Sequence, residues 1–303
     1  MGYVLGVDCP HDVRALSPSG DGKTVWQDLC DWLGGIPPVM LRYVTSGGRA
    51  ATPMGKAEAE YILAQGSPLV PIYNGSPIDG GSVGTYQQGA LDATNALALA
   101  DALGQPDNTY MAFDVEANAD VTGGYLDGLT ATTRPSRLAG SGIAYGLTGT
   151  SGNLGQALAA ARSNPNVQRL ILWPASWFNT GSNPLVPANG ISLSAVESTL
   201  ARLGGFNGAN LAPILPGAVR IWQFAAVCFG GLCDLSFVDE ALLQPSAQGS
   251  LWLPTTTYAT VPPTSANTAT PTSATPAQLV TKLQSQVADV NHTLAALNTA
   301  LGG

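Results

Sequence analysis

Charge is scarce in this sequence: 11% of its 303 residues are Asp, Glu, Lys or Arg, and 12 Lys and Arg face 20 Asp and Glu, a net charge of −8. So few basic residues cannot build a patch that holds phosphates by releasing counterions, and nucleic acid is excluded as an expected partner. The same acidity removes long-range attraction to anionic membranes and wall polymers, so any grip on a bacterial surface needs a shaped cleft. Histidine is scarcer still, with only His11 and His292. The cysteines, Cys9, Cys30, Cys228 and Cys233, fit no common zinc spacing, and neither a metal centre nor a cofactor is expected. Cys9-Pro10-His11 beside the second pair is the one metal-like grouping. The simpler expectation is buried thiols, or one surface disulfide between Cys228 and Cys233, which bracket a Phe-Gly-Gly-Leu turn. No apolar run approaches the roughly 18 residues of a membrane span. Nor does the start read as a secretion leader, because Tyr3 to Val7 already has the look of a core strand; synthesis in the cytosol is expected, with any exit by another route.

What is present is apolar residue in quantity. At 45% hydrophobic content the chain can bury a large core, enough for one barrel of about 250 residues with an appendage or for two smaller domains. Short apolar runs alternate with helical stretches up to about residue 225. Strands are expected at Tyr3 to Asp8, Val39 to Val44, Leu69 to Asn74, Tyr110 to Glu116, Ile143 to Leu147, Val167 to Trp173 and Val219 to Phe224. Helices are expected at Thr24 to Leu33, Lys56 to Gln65, Thr85 to Leu103, Ser151 to Ser163 and Ser192 to Leu203, several of them stopped by Gly. Alternation of this length implies parallel strands covered by helices. The expected fold is an α/β, TIM-like (β/α) barrel over residues 1–253, with irregularity allowed in its last strands; an open doubly wound sheet is the runner-up.

Beyond Trp252 the composition changes. Residues 254–276 are nearly all Pro, Thr, Ala and Ser, which cannot bury enough surface to fold alone and read as a linker. In residues 277–303, Val280, Leu283, Val287, Val290, Leu294, Leu297 and Leu301 recur at spacings of three and four, the seam of a coiled coil. Alone such a helix is marginal, so it is expected to self-associate or to dock on another surface.

The stretch Phe113 to Asn118, FDVEAN, sets Asp114 and Glu116 two apart in an apolar run. In a strand both carboxylates then face one side, Phe113 and Val115 the other. Neighbouring carboxylates away from solvent disfavour each other's ionised form, which is one way a carboxyl becomes an acid near neutral pH. Polar residues gather at other expected strand ends too: Asp8, Arg42, Tyr73 with Asn74, Trp173, and Trp222 with Gln223. In a barrel this end is where chemistry collects.

Taken in order, GVD at Gly6 to Asp8, FDVE at Phe113 to Glu116, LWPASW at Leu172 to Trp177, and WQFA at Trp222 to Ala225 followed by CDLS at Cys233 to Ser236 resemble the strand ends of family 25 glycoside hydrolases, the lysozyme-like muramidases. VPIYN at Val70 to Asn74 and the stretch Gly89 to Pro106 resemble the related glycoside-hydrolase-like domains of actinobacteria and their phages. The resemblance implies Glu116 as general acid, Asp114 as its helper, and Asp8 with Asp234 completing the acidic set. Sugar contacts are expected from the strand-end residues Arg42, Tyr73, Asn74, Trp173, Trp222 and Gln223 and from Trp177, the aromatics as stacking faces. The resemblance also implies that Asp8 and Asp234 sit together on neighbouring first and last strands, opposite the 114/116 pair. The expected substrate is cell-wall peptidoglycan, with the protein carried on a phage particle or held in the host cytoplasm until lysis. The alternative is a catalytically silent virion component whose barrel binds sugar or only builds, assembled as a homo-oligomer or onto phage particle proteins through residues 277–303.

Overall fold

The computed structural model describes residues 2–45, 52–74, 84–115, 121–133, 137–139, 142–146, 153–175 and 219–254. Six strands, β1 (Tyr3–Cys9), β2 (Val39–Tyr43), β3 (Leu69–Tyr73), β4 (Ala112–Asp114), β5 (Ile143–Gly146) and β6 (Ile171–Pro174), pair in sequence, each parallel to the next. Parallel neighbours need a crossover long enough for a helix. The helices α1 (Val25–Leu33), α2 (Lys56–Ala64), α3 (Tyr86–Leu103), α4 (Gly123–Thr133) and α5 (Asn153–Ala160) fall between successive strands. Their limits follow local chemistry: Thr24 and Gln27 close a capping box on α1, and Gly34 ends it in the left-handed conformation, φ 73°.

The end of the chain of strands departs from simple alternation. β7 (Ile221–Cys228) turns through a 3₁₀ segment, Phe229–Gly231, into β8 (Cys233–Asp239), which runs antiparallel to both β7 and β1. The sheet order is β6-β5-β4-β3-β2-β1-β8-β7. Its two edges then meet: parallel bridges Leu172↔Val219 and Ala175↔Gln223 join β6 to β7, with the Arg220 amide donating to the Leu172 carbonyl at 3.2 Å. The eight-stranded sheet is thereby nearly closed into a barrel.

Period-two alternation divides the core. Leu41, Tyr43, Val70, Ile72, Ala112, Tyr145, Trp173 and Val238 form one buried cluster inside the barrel. Leu5, Val7, Met40, Phe113, Leu172, Trp222 and Phe237 form another with Trp26, Leu29, Ile62, Ala93 and Leu126 of the helices. Strands buried on both faces read as unbroken apolar runs, which is why the parallel ones were legible.

Two elements were not expected from sequence. α4 begins Gly123-Gly124 and ends in threonines, with only Tyr125, Leu126 and Leu129 as large apolar residues on its buried face, and it is set tightly on α3. A Cβ on Gly89 would lie 2.0 Å from the Tyr125 carbonyl oxygen, and one on Gly128 1.9 Å from that of Tyr86, so two glycines let the backbones touch reciprocally. Gly128→Ala is expected to cost about 1–3 kcal/mol, as overpacking does. Thermal unfolding checks it, and an unchanged midpoint would mean that the helices do not meet this way. β8 was missed as a strand, although Asp234, Ser236 and Val238 alternate with Leu235 and Phe237. The expected strand from Val167 instead starts as a 3₁₀ turn, Val167–Arg169, with β6 beginning at Ile171. The expected helix at Ser192 to Leu203, Trp177, Glu116, the tract beyond residue 254 and the heptad segment lie outside the described residues.

Candidate functional site

The antiparallel return of β8 decides the site. β7 runs up to the rim where β1 also ends, turns there, and β8 starts back down, so its second residue lies beside the end of β1. Asp8 and Asp234 are partners in register, their Cα atoms about 4.5–5.5 Å apart as in any antiparallel pair, with side chains on one face. Asp8 is buried and Asp234 half-buried. The hairpin tip is held from outside by Trp32 of α1, stacked on Phe229 at 5.1 Å between ring centres.

Asp8 and Asp234 line a cavity of about 290 Å³ with His11, Tyr43, Tyr145 and Cys233 among its other walls. Burial, then the nearby Arg42 charge, lowers the pKa of His11, so the imidazole is neutral at neutral pH. Asp114, 8% exposed, stands one hydrogen bond behind this wall: the Tyr43 hydroxyl donates to its Oδ2 at 3.0 Å and the Asn74 amide to the same oxygen at 3.2 Å. Asp234 accepts from the Gln223 amide at 2.9 Å. Tyr43, Asn74 and Gln223 are neutral donors, so these hydrogen bonds bring no opposite charge to the two carboxyls. Among the described residues that line the cavity there is no Lys or Arg, and among the described residues no group of three His, Cys, Asp or Glu is placed to hold a metal ion.

Strand alternation sorts the remaining candidates. Asn74, Gln223 and Trp173 belong to the inner face, but Trp173 is fully buried, its ring 4.5 Å from that of Tyr145 and its Nε1 donating to Ser236 Oγ at 3.0 Å. It fills the barrel rather than offering a face to a ligand. Tyr73 and Trp222 face outward into the helix layer. Tyr73 lies against Asp92 and Asn95 of α3, and burial followed by the Asp92 charge pushes its phenol up to about 12. Arg42 is also outward and 0% exposed: Nε and Nη2 bind Glu58 at 2.8 and 3.1 Å, and the rest of the guanidinium donates to the Cys9 and Thr52 carbonyls. The residues expected in pairs at strand ends thus split, one in and one out. Tyr43, Tyr145 and His11 were not anticipated. Parity was the available signal for the tyrosines, since Tyr43 shares the inner face with Leu41, and Tyr145 is in register with Asp114.

The thiols bear on the site as structure. Cys9, Cys228 and Cys233 are buried and free, and Cys228 and Cys233 oppose each other across the hairpin. Burial pushes Cys9 up to about 12 and, with help from Asp234, Cys228 to about 12. A thiol raised in the folded state alone keeps its proton while the unfolded chain releases it, so its contribution holds below the unfolded value of 9.0 and disappears as pH climbs toward 12. The thiols' contribution is expected to be flat up to about pH 9, and stability then to fall by about 1.4 kcal/mol per pH unit for each such thiol. Urea unfolding at stepped pH checks this, and a flat profile from pH 9 to 11 would contradict it.

The described strands thus form a nearly closed eight-stranded barrel with Asp8 and Asp234 at its rim. Residues 38–177 match the model of the Rv2525c-like, glycoside hydrolase-like domain, the resemblance that the motifs carried. The structure is similar to that of an uncharacterized B. stearothermophilus protein, at 21% identity over 79% of this chain and 98% of that one, with a TM-score of 0.58. It is also similar to the Tat-secreted Mycobacterium tuberculosis protein Rv2525c in complex with L-tartrate, at 13% identity over 83% and 98% with a TM-score of 0.46. A bacterial lysozyme from Streptomyces coelicolor matches at 14% identity over 78% and 92% with a TM-score of 0.42. At these identities the likeness is one of fold, and the first structure carries it. No curated protein matches the chain.

Proposed function

We propose that this protein is a glycoside hydrolase of the muramidase type that cleaves glycan strands of bacterial peptidoglycan, with Glu116 as general acid and Asp8, Asp114 and Asp234 in support. The observation that carries this reading is the cavity at the barrel rim, where Asp8 and Asp234 stand side by side and Asp114 is reached through Tyr43. A neutral polyol suits such a site. It offers hydroxyls to carboxylates and phenols, and it needs no cation from a wall that has none among its described residues. Opposed carboxyls around a sugar ring are the arrangement that stabilises an oxocarbenium-like transition state. Glu116 enters by its spacing from Asp114, and Trp177 is kept as a sugar-stacking residue by the resemblance of LWPASW. A phage origin and assembly through residues 277–303 belong to the same proposal. Purified cell walls incubated with the full chain are expected to release new reducing ends. Walls left intact by it, while a known muramidase digests the same preparation, would remove the hydrolytic reading.

A further inference from the structure

Gln223 is 0% exposed, on the inner face of β7, so bulk solvent does not reach its amide. Both ends are instead bonded within the wall: the Tyr145 hydroxyl donates to Oε1 at 2.7 Å, and Nε2 donates to Asp234 Oδ2 at 2.9 Å. The direction is set chemically. A carboxylate ion only accepts, so the amide turns its NH₂ toward Asp234, and the oxygen left behind requires a donor, which the phenol supplies. Three strands, β5, β7 and β8, therefore contribute to one relay that ends on the cavity.

We propose that Gln223, backed by Tyr145, is a positioning residue that holds Asp234 in place at the rim as the charge-bearing neighbour of Asp8. It deepens the glycoside hydrolase reading and depends on it only in giving Asp234 a task in turnover. The surroundings explain why a donor is needed. Asp234 is paired in register with Asp8 of β1 and stands near the thiols of Cys228 and Cys233 in the hairpin, and it shares the cavity wall with Tyr43 of β2, Tyr145 of β5 and His11 of the segment after β1, with Asp114 of β4 behind Tyr43. The thiols are raised and the imidazole lowered, so all three are neutral near pH 7. A charge on Asp8 would oppose one on Asp234, and the Gln223 amide is a neutral donor that favours the Asp234 carboxylate. Protonation of Asp234 would reverse the relay. The carboxyl would then donate to Gln223 Oε1, the amide would turn its NH₂ to the Tyr145 oxygen, and the phenol hydrogen would be released toward the cavity. Gln223 thus ties the charge on Asp234 to the direction of a hydroxyl on the same wall.

Carboxyl carbon NMR titration of the full chain, without substrate, tests this. In Gln223→Met the Asp234 midpoint is expected about one pH unit higher, a tenfold change in the ionised fraction at fixed pH, for the loss of one hydrogen bond to a charged group. The Asp8 midpoint should fall at the same time, because a neutral neighbour no longer repels it. Tyr145→Phe should move Asp234 in the same direction by less. An Asp234 midpoint unmoved in both variants overturns the proposal. If Gln223→Met does not fold, Tyr145→Phe decides alone, and no movement there overturns it. A shifted midpoint in a protein that leaves walls intact would discard the hydrolase reading and keep the relay. Turnover without a shift would do the reverse.

Discussion

Glu116→Gln protein is expected to release reducing ends from cell walls about 100- to 10,000-fold more slowly than the wild-type chain, the range that a single positioned proton donor contributes. Glutamine keeps the shape and length of glutamate and removes only the transferable proton, so a fall of this size with unchanged near-UV dichroism isolates the acid role. Asp114 faces the barrel interior at the end of β4, 8% exposed and bonded by Tyr43 and Asn74. Neighbouring carboxylates disfavour each other's ionised form, which makes one of a pair an acid, and Glu116, the proposed general acid, is two positions further along the sequence. Leaving-group protonation requires such a raised acid, which a carboxyl at its ordinary value does not provide near neutral pH. Turnover that is the same in Glu116→Gln as in wild type would take Glu116 out of the mechanism.

Arg42→Met is expected to lower stability by about 3–5 kcal/mol, the usual result of removing one partner from a buried ion pair. In a domain of this size that is a fall in the thermal midpoint of about 10 °C. The cost comes from Glu58, 1% exposed, left without the guanidinium that binds both its oxygens. Glu58 also accepts from the Val13 amide at 3.1 Å, and Arg42 donates to the Cys9 carbonyl at 2.9 Å. The pair therefore fastens α2 and β2 to the end of β1 and the segment that presents His11 to the cavity. A substrate contact would behave differently, with weaker ligand binding at unchanged stability. Equilibrium unfolding read beside ligand binding separates the two, and a variant as stable as wild type would return Arg42 to the candidate ligand contacts.

The same residue shows where reading a sequence loses its hold. Arg42, Tyr73 and Trp222 stand at expected strand ends, which placed them at the right height in the barrel. Whether each points to the cavity or to the helices turns on a parity that shifts with the strand's starting residue, since a slip of one position exchanges the two faces. Asn74 and Gln223, one position later in their strands, are the ones directed inward. The resemblance and barrel closure implied that Asp8 and Asp234 sit together, but not the reason they meet: a hairpin returns β8 antiparallel, where strand-helix alternation suggested another parallel strand. α4 was not legible because its few apolar residues, Tyr125, Leu126 and Leu129, are interspersed with the glycines and threonines that let it approach α3 closely.

By itself the sequence determined the alternation of strands and helices up to α3 and through β4 to β6, the apolar content that lets a barrel close, the absence of a basic surface, and the spacing that sets Asp114 beside Glu116. These are local or compositional properties, settled by periodicity, capping and charge within a few residues. Only the tertiary structure decided which strand-end residues look into the cavity, that Asp8 and Asp234 form one cross-strand pair, and that Tyr145, Gln223 and Tyr43 stand behind the acids. Those facts depend on register and closure between strands separated by up to two hundred or so residues, and no local pattern encodes the choice of partner.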